Sequence, residues 1–378
     1  MTAHNTGLRA VAQHFAIPGD FVSAEPYGSG HINDTYRLAF RSPGGSEELF
    51  ILQRINTRIF KAPHALMENI ARVTAHLAGK VAGHLDSDRQ VLTLIPTRDG
   101  SATHRDAEGC LWRCYRFIQN ARSYDIADTP ERAWQAAFAF GRFQSLLADL
   151  PTPRLHDTIP GFHDTPVRLA AFESAIAADN AQRVSLAQPE IDFLLARRPL
   201  AHELLDAGLP ERITHNDTKI NNVLFDEACL AGSSSVHTSN RGICVIDLDT
   251  VMPGLALYDF GDMVRTMTSS AAEDETNLTL VEMRFAYFEA ITRGYLAAAG
   301  NMLADVEKKC LLAAGKVITY EQALRFLGDY LAGDIYYKSH HPHQNLDRCR
   351  TQIRLLHSIE IQERKLQAFL NELLRDPR

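Results

Sequence analysis

The sequence predicts an α+β protein of two lobes, a small antiparallel sheet followed by a mostly helical part. Three observations carry that expectation. Apolar and polar residues in the first third alternate with the period of strands, and turn residues separate the runs. Beyond Asn120 the apolar period lengthens to that of helices. The chain has 378 residues, 45% of them hydrophobic, which is enough to build two cores.

The elements follow in order. "DTYRLAF" puts Tyr36, Leu38 and Phe40 on one face, "SPGGSE" is a turn, and "LFILQRI" is a second strand, so the three form a hairpin. A helix comes next, with Leu66, Ile70, Val73 and Leu77 on one stripe. "VLTLIPT" and "CLWRCYRFI" read as two more strands, which completes an N-lobe over residues 1–118. Thr129 and Pro130 pair as N-cap and first helical residue of a helix running to about Leu150, with Phe138, Phe143, Leu146 and Leu147 on its apolar face. Helical patterns near 166–180, 188–207, 275–300, 319–332 and 345–375 fill a C-lobe over residues 119–378. Two short strands interrupt them, "NVLF" at 222–225 and "GICVID" at 242–247. The polar stretch between, "DEACLAGSSSVHTSNR", reads as a mobile hairpin loop.

Composition excludes several classes. A net charge of −7 argues against nucleic acid or an anionic membrane as partner. No apolar run approaches the roughly 18–20 residues that span a bilayer, and "MTAHNTGLRAVAQHFAIPGD" lacks the apolar core of a secretory signal. Six cysteines are scattered, and only Cys110 and Cys114 lie close together. The reading is a reduced, cytoplasmic, soluble protein.

The chemistry gathers in "ITHNDTKINNVLF" at 213–225. His215, Asp217 and Asn222 fit H-x-D-x-x-x-x-N, the catalytic loop of kinases, with the Asp as base and the Asn as a Mg²⁺ ligand. Lys219 can neutralise charge on a transferring phosphoryl group. The plainer alternative is an Asn/Asp-rich turn before a strand. "GICVIDLD" weighs against it, because an apolar strand there ends at Asp247, a metal-ligand candidate. Asp249 follows on the same face as a second. "YDFGD" contains a literal D-F-G at Asp259–Gly261, but it does not end an apolar strand. It reads as the cap of the next helix and a prop for the loop.

In "YGSGHIND", Gly28 and Gly30 let backbone N–H groups approach the phosphates of ATP, although Asn33 replaces the third glycine of G-x-G-x-x-G. An ordinary glycine turn is the alternative. No G-x-x-x-x-G-K-[ST] occurs, which excludes a P-loop. "ILQRI" ends in Arg54, the expected cation of the nucleotide site, with Glu68 on the following helix as its partner or else a solvated surface residue. "SHHPH" at 339–343 reads as an exposed loop in preference to a metal tract.

These stretches, together with "GSGHINDTYRL", "ILQRIN", "VIDLDTVMPGLALYDFGD" and "FLGDYLAGDIYYK", resemble the aminoglycoside phosphotransferase and choline kinase superfamily. The narrower resemblance is to bacterial N-acetylhexosamine 1-kinases. It implies a two-lobed, protein-kinase-like fold and ATP- and Mg²⁺-dependent phosphorylation of the anomeric hydroxyl of N-acetylglucosamine or N-acetylgalactosamine. ATP would lie between the lobes near a hinge at 117–121. Carried over by motif, Asp217 would be the base, Asn222 and Asp247 would hold the metal, and His31, Asp34, Arg325 and Tyr336 would meet the sugar. Arg325 and Tyr336 would point the same way on an unbroken helix, but Gly333 lies between them. The insert at 229–241 departs from a tight hairpin. The rival readings are a kinase of an amino alcohol or aminoglycoside, a nucleotide-binding pseudo-enzyme, and a metal-dependent phosphoesterase without an ATP lobe.

Overall fold

The computed structural model describes residues 3–28, 32–227 and 240–375. Gly30, His31 and most of the 229–241 insert lie outside the described residues. The chain starts with a helix absent from the expected elements, α1 (Ala3–Ala12). Its signal was present, since Leu8, Val11, Ala12 and Phe15 repeat at helical spacing and all are buried. They cover one face of the sheet at Leu38, Phe50 and Leu52.

That sheet contains β1 (Asp20–Pro26), β2 (Asp34–Arg41) and β3 (Glu47–Arg54), followed by α2 (Pro63–Val81). The chain returns as β4 (Leu94–Ile95), β5 (His104–Arg105) and β6 (Leu111–Arg116). The order is β1-β2-β3-β6-β4, with β5 on β6 and every pairing antiparallel. The expected hairpin pairs Asp34 with Arg54 at one end and Arg41 with Glu47 at the other. Alternation then divides the sheet. Phe50 and Leu52 face α1, while Ile51 and Gln53 face the opposite side.

Beyond Phe117, β7 (Ala121–Arg122) leads into α3 (Pro130–Leu147), where Thr129 accepts a hydrogen bond from Arg132 N at 3.2 Å as the expected cap. After α4 (Thr165–Ala178), the expected helix over 188–207 is split into α5 (Gln188–Leu195) and α6 (Leu200–Glu203), with Pro199 between them. Four short strands follow: β8 (Glu211–Thr214), β9 (Val223–Asp226), β10 (Gly242–Val245) and β11 (Met252–Leu255). They form two small sheets, β10-β9-β7 and β11-β8.

The remainder is helical: α7 (Ala256–Met267), α8 (Phe285–Ala299), α9 (Asp305–Lys309), α10 (Leu311–Ala332), α11 (Gln344–Ile361) and α12 (Glu363–Arg375). The pattern at 275–300 becomes α-helix only from Phe285, and the pattern at 345–375 divides at Gln362. Among the described residues no helix is long and apolar enough to cross a membrane. The fold is thus α+β and two-lobed in the kinase-like manner, an antiparallel sheet over a helical body.

One close approach fixes the helix that carries the site. At Gly261, in the middle of α7, an added Cβ would lie 2.4 Å from the carbonyl oxygen of Ala314 on α10. The glycine of the literal D-F-G is therefore a packing glycine. Gly261→Ala should cost about 1–3 kcal/mol through overpacking, read as a lower urea midpoint. A midpoint equal to wild type would show that α7 can shift freely.

Candidate active site

β8 delivers the chain into an irregular loop, 215–219, that ends in a turn of 3₁₀ helix at Ile220–Asn222, yet His215, Asn216 and Thr218 are buried. Buried N–H groups need acceptors, and α7 supplies them. The Asp259 carboxylate accepts from His215 N at 2.9 Å and Asn216 N at 2.7 Å. Gln144 Nε2 adds a third bond at 2.6 Å. Asp262, one helical turn on, accepts from Thr218 N at 2.8 Å. Asp259 is thus the prop expected of "YDFGD", with both its oxygens occupied, but the segment does not cap α7, whose cap position is Leu255, because it already lies within the helix. His215 Nε2 meets the Ile246 carbonyl oxygen at 2.9 Å, so it donates there, and Nδ1 accepts from Asp217 N at 3.3 Å.

The loop so fixed presents Asp217, whose side chain is 25% exposed, with Lys219 Nζ at 3.0 Å from its carboxylate. Burial opposes ionisation of Asp217, but the charge of Lys219 and its hydrogen bond outweigh it and hold the carboxyl below its ordinary value. Asp217 in turn raises the Lys219 ammonium above its ordinary value. Asn222 Nδ2 donates to the Asp217 carbonyl at 2.8 Å and to its carboxylate at 3.3 Å. That leaves the Asn222 amide oxygen without a hydrogen-bond donor among the described residues.

Asp247 follows β10, one residue beyond Ile246, whose N–H bonds the Asn222 carbonyl at 2.9 Å. The strand ends at Val245, and Asp247 sits in a left-handed conformation with φ 59°. It opens into a cleft of about 190 Å³ lined also by Gly28, Gln53, Arg113, Phe117, Asn222 and others. The surrounding protein, and then the charges of Asp249 and Asp217, push its carboxyl up to about 6. Water in the cleft screens part of that effect. Crowded carboxylates of this kind call for a cation.

Residues 23–300, well over half of the chain, match the profile of APH, a phosphotransferase enzyme family. The chain belongs to this family. Three solved structures share its fold. The microcompartment-associated aminopropanol kinase is 15% identical with a TM-score of 0.55, over 97% of this chain and 99% of that one. Spectinomycin phosphotransferase in complex with ADP and spectinomycin is 11% identical with a TM-score of 0.57, over 95% and 99%. An aminoglycoside phosphotransferase from Alicyclobacillus acidocaldarius is 14% identical with a TM-score of 0.55, over 97% and 95%.

In this phosphotransferase two sequence expectations are corrected. Arg54 does not pair with Glu68. Its Nε donates to Asp34 at 2.7 Å, and its guanidinium lies 5.9 Å from the centre of the Trp112 ring, on the α1 face. Glu68 is half exposed and bonded to His156 at 2.9 Å. The reason is strand alternation: Gln53, not Arg54, faces the cleft. Asp34, directly opposite Arg54, is held on the same far face and is absent from the cleft lining. The second correction concerns Asp249. Its strand has already ended, and 248–250 form a turn of 3₁₀ helix, so it does not share a face with Asp247. It is buried in an ion pair with Arg113 and accepts from Asn33 Nδ2 at 2.6 Å.

Arg113 is the buried cation that the motif reading missed. Its Nε donates to Gln53 at 3.0 Å, and it touches Met67 on α2. A charge in the middle of the apolar strand "CLWRCYRFI" was the available signal, because a buried charge demands a partner. Gly28 lines the cleft with φ 82°, and an added Cβ there would touch nothing. Its glycine is needed for backbone conformation, not for space. Arg325 and Tyr336 share a separate cavity of about 280 Å³ with Arg168, Asp329 and Tyr337. Gly333 does end α10, with φ 100°. Tyr336 returns toward Arg325 because Asp329 accepts the N–H groups of Ile335, Tyr336 and Tyr337 at 2.9, 2.7 and 3.0 Å.

Two substitutions separate the roles of the neighbouring aspartates. Asp249→Ala leaves Arg113 buried without its counter-charge and should lower the unfolding free energy by about 3–5 kcal/mol. Asp247→Ala should leave stability near wild type. Denaturant titration without metal measures both, and a fully stable Asp249→Ala protein would return Asp249 to the metal-ligand candidates.

Proposed function

We propose that this phosphotransferase moves the γ-phosphoryl group of ATP to the anomeric hydroxyl of an N-acetylhexosamine, giving ADP and the sugar 1-phosphate. The observation that carries the reading is Asp217, ionised beside Lys219 and fixed by Asn222 at the edge of a cleft between the two lobes. In this scheme Asp217 accepts the proton of the attacking hydroxyl as its oxygen bonds to phosphorus and the bond to the β–γ bridging oxygen breaks. Lys219 keeps Asp217 oriented and balances charge near the transferred group. Phe117, Ile118 and Ala121, where the chain passes between lobes, line the cleft where the base of the nucleotide would lie.

The residues present fit Mg²⁺. The Asn222 amide oxygen and the crowded Asp247 carboxylate are hard oxygen donors. Among the described residues no three His, Cys, Asp or Glu side chains are grouped to enclose an ion. A partial shell of this kind suits Mg²⁺, which takes one or two protein oxygens plus substrate phosphates and water. When bound, Mg²⁺ would neutralise charge on the phosphates of ATP. Asp249 is not carried forward as a ligand, nor Arg54 and Glu68 as nucleotide contacts.

The assignment of the sugar site to the cavity at Arg325 and Tyr336 rests on the resemblance. Its charge favours a neutral sugar over a cationic aminoglycoside or amino alcohol. Burial, then the charge of Arg325, lowers the Arg168 guanidinium below its ordinary value, and its Nε has no hydrogen-bond partner among the described residues. The nearby carboxylates are already engaged, Glu321 by His163 and Thr165, and Asp329 by backbone N–H groups and Asn345. A cationic substrate needs free carboxylates or an aromatic cage without competing guanidinium groups.

A panel of hexosamines, amino alcohols and aminoglycosides with ATP and Mg²⁺, with products identified by phosphorus NMR, tests the reading. N-acetylglucosamine or N-acetylgalactosamine 1-phosphate is expected. Phosphorylation of an amino alcohol in place of any hexosamine would overturn it. Asp217→Asn should lower kcat by about 10²-fold or more while nucleotide still stabilises the protein in a thermal melt. In the same melts, Asp247→Asn should abolish the part of the nucleotide stabilisation that depends on Mg²⁺.

A further inference from the structure

Behind the cleft lies a second chamber of about 340 Å³. Leu92 and Leu248 line both spaces and form the partition. Its walls come from α2, α3 and β10, and its floor is apolar, with Leu77, Val81, Phe143, Leu146 and Val245. The volume falls within the roughly 300–1,000 Å³ of small-molecule sites. Leu85, 86% exposed, lies on the rim.

The charged groups in this chamber share one sign, and its other polar side chains are Gln90 and His84. Arg142 enters from α3, and its guanidinium donates to the neutral Gln90 Oε1 at 3.0 Å. Among the described residues it makes no ion pair. Arg241 enters from the start of β10, its side chain half exposed, with the Asp86 carboxylate 3.9 Å away at the outer edge. Burial and the charge of Arg241 both disfavour the Arg142 cation. Two guanidinium groups held against an apolar floor, with one carboxylate beside Arg241 at the outer edge, leave a surplus of one positive charge.

We propose that this chamber is a binding site for an amphipathic monocarboxylate, with its headgroup on Arg142 and Arg241 and its apolar body on the floor between α2 and α3. Guanidinium forks match a carboxylate in geometry and charge. The occupant would supply the counter-charge that Arg142 lacks and cover apolar surface that water now meets. A single surplus charge selects a monoanion over a phosphate dianion. The site is separate from the phosphotransfer cleft and does not depend on the sugar-kinase reading.

Isothermal titration of the full-length protein with sodium octanoate tests the proposal, with 1-octanol and sodium acetate as controls. Octanoate should bind, and either control, lacking one half of the recognition, should bind at least about tenfold more weakly. Arg142→Gln should weaken octanoate by about tenfold or more and leave 1-octanol unchanged. Arg241→Gln removes a charge from an exposed side chain without touching packing, so it tests the same prediction should Arg142→Gln fail to fold. Absence of octanoate binding to the wild-type protein would overturn the proposal. So would binding that Arg241→Gln and a folded Arg142→Gln leave unchanged, or 1-octanol binding as tight as octanoate.

Discussion

The site depends on one buried carboxylate. The loop at 215–219 has to be irregular, because it carries Asp217 and leads into the 3₁₀ turn that sets Asn222 in the cleft lining. An irregular buried backbone leaves N–H groups that neither a helix nor a sheet can satisfy. Asp259 takes two of them, and Asp262 takes a third. Both ride on α7, whose position is set by contact with α10 at Gly261. Packing of two helices in the lower lobe is thereby transmitted to the placement of the proton-accepting group. This is why "YDFGD" carries two aspartates and a glycine, although none of the three opens onto the cleft lining.

A second constraint joins the lobes. Arg113 on β6 and Asp249 beyond β10 form an ion pair whose side chains are 1% and 4% exposed. Such a pair is costly to bury and costlier to break, so it acts as a geometric lock more than as a source of net stability. Asn33 extends the lock, since it accepts from Asn56 N at 2.9 Å and donates to Asp249. Asn33, directly before β2, thus ties the N-lobe sheet to the segment that carries Asp247. Asn69 on α2 adds a neutral tie, donating to the carbonyls of His156 and Val251 at 2.8 and 3.1 Å. Arg113 and Asn69 both reach across to the helical lobe, whereas the Arg54–Glu68 pair expected within the N-lobe is not formed, and Glu68 instead meets His156.

Charge is partitioned around these ties. The cleft is lined by the Asp247 carboxylate and by Asn222, which holds the Asp217 carboxylate beside it, and these groups suit a cation and the phosphates it would carry. In the cavities at Arg325 and at Arg142 these two guanidinium groups have neutral hydrogen-bond partners, Gln322 and Gln90. A ligand able to use both kinds of environment has an anionic or neutral character away from the metal.

The sequence by itself determined the fold class, most elements, and the loop in which chemistry-bearing residues gather. Those features rest on local periodicity and on motif spacing, which are properties of the chain before it folds. It also set Asp247 apart from Asp259 by the apolar strand that precedes it, and in the fold Asp247 lines the cleft while Asp259 binds the loop backbone. Tertiary structure decided which side of a strand a residue shows and which charges meet. Arg54 was one residue out of phase with the cleft, and a period of two turns that single step into the opposite face. Arg113 lies fifty-nine positions further along the chain, and nothing local to it says that its partner is Asp249, 136 residues away. α1 was legible in its spacing, yet only its fit against Leu38, Phe50 and Leu52 gives that spacing a surface to cover. Long-range pairs of this kind are settled by the burial of charge, which exists only once the two lobes have come together.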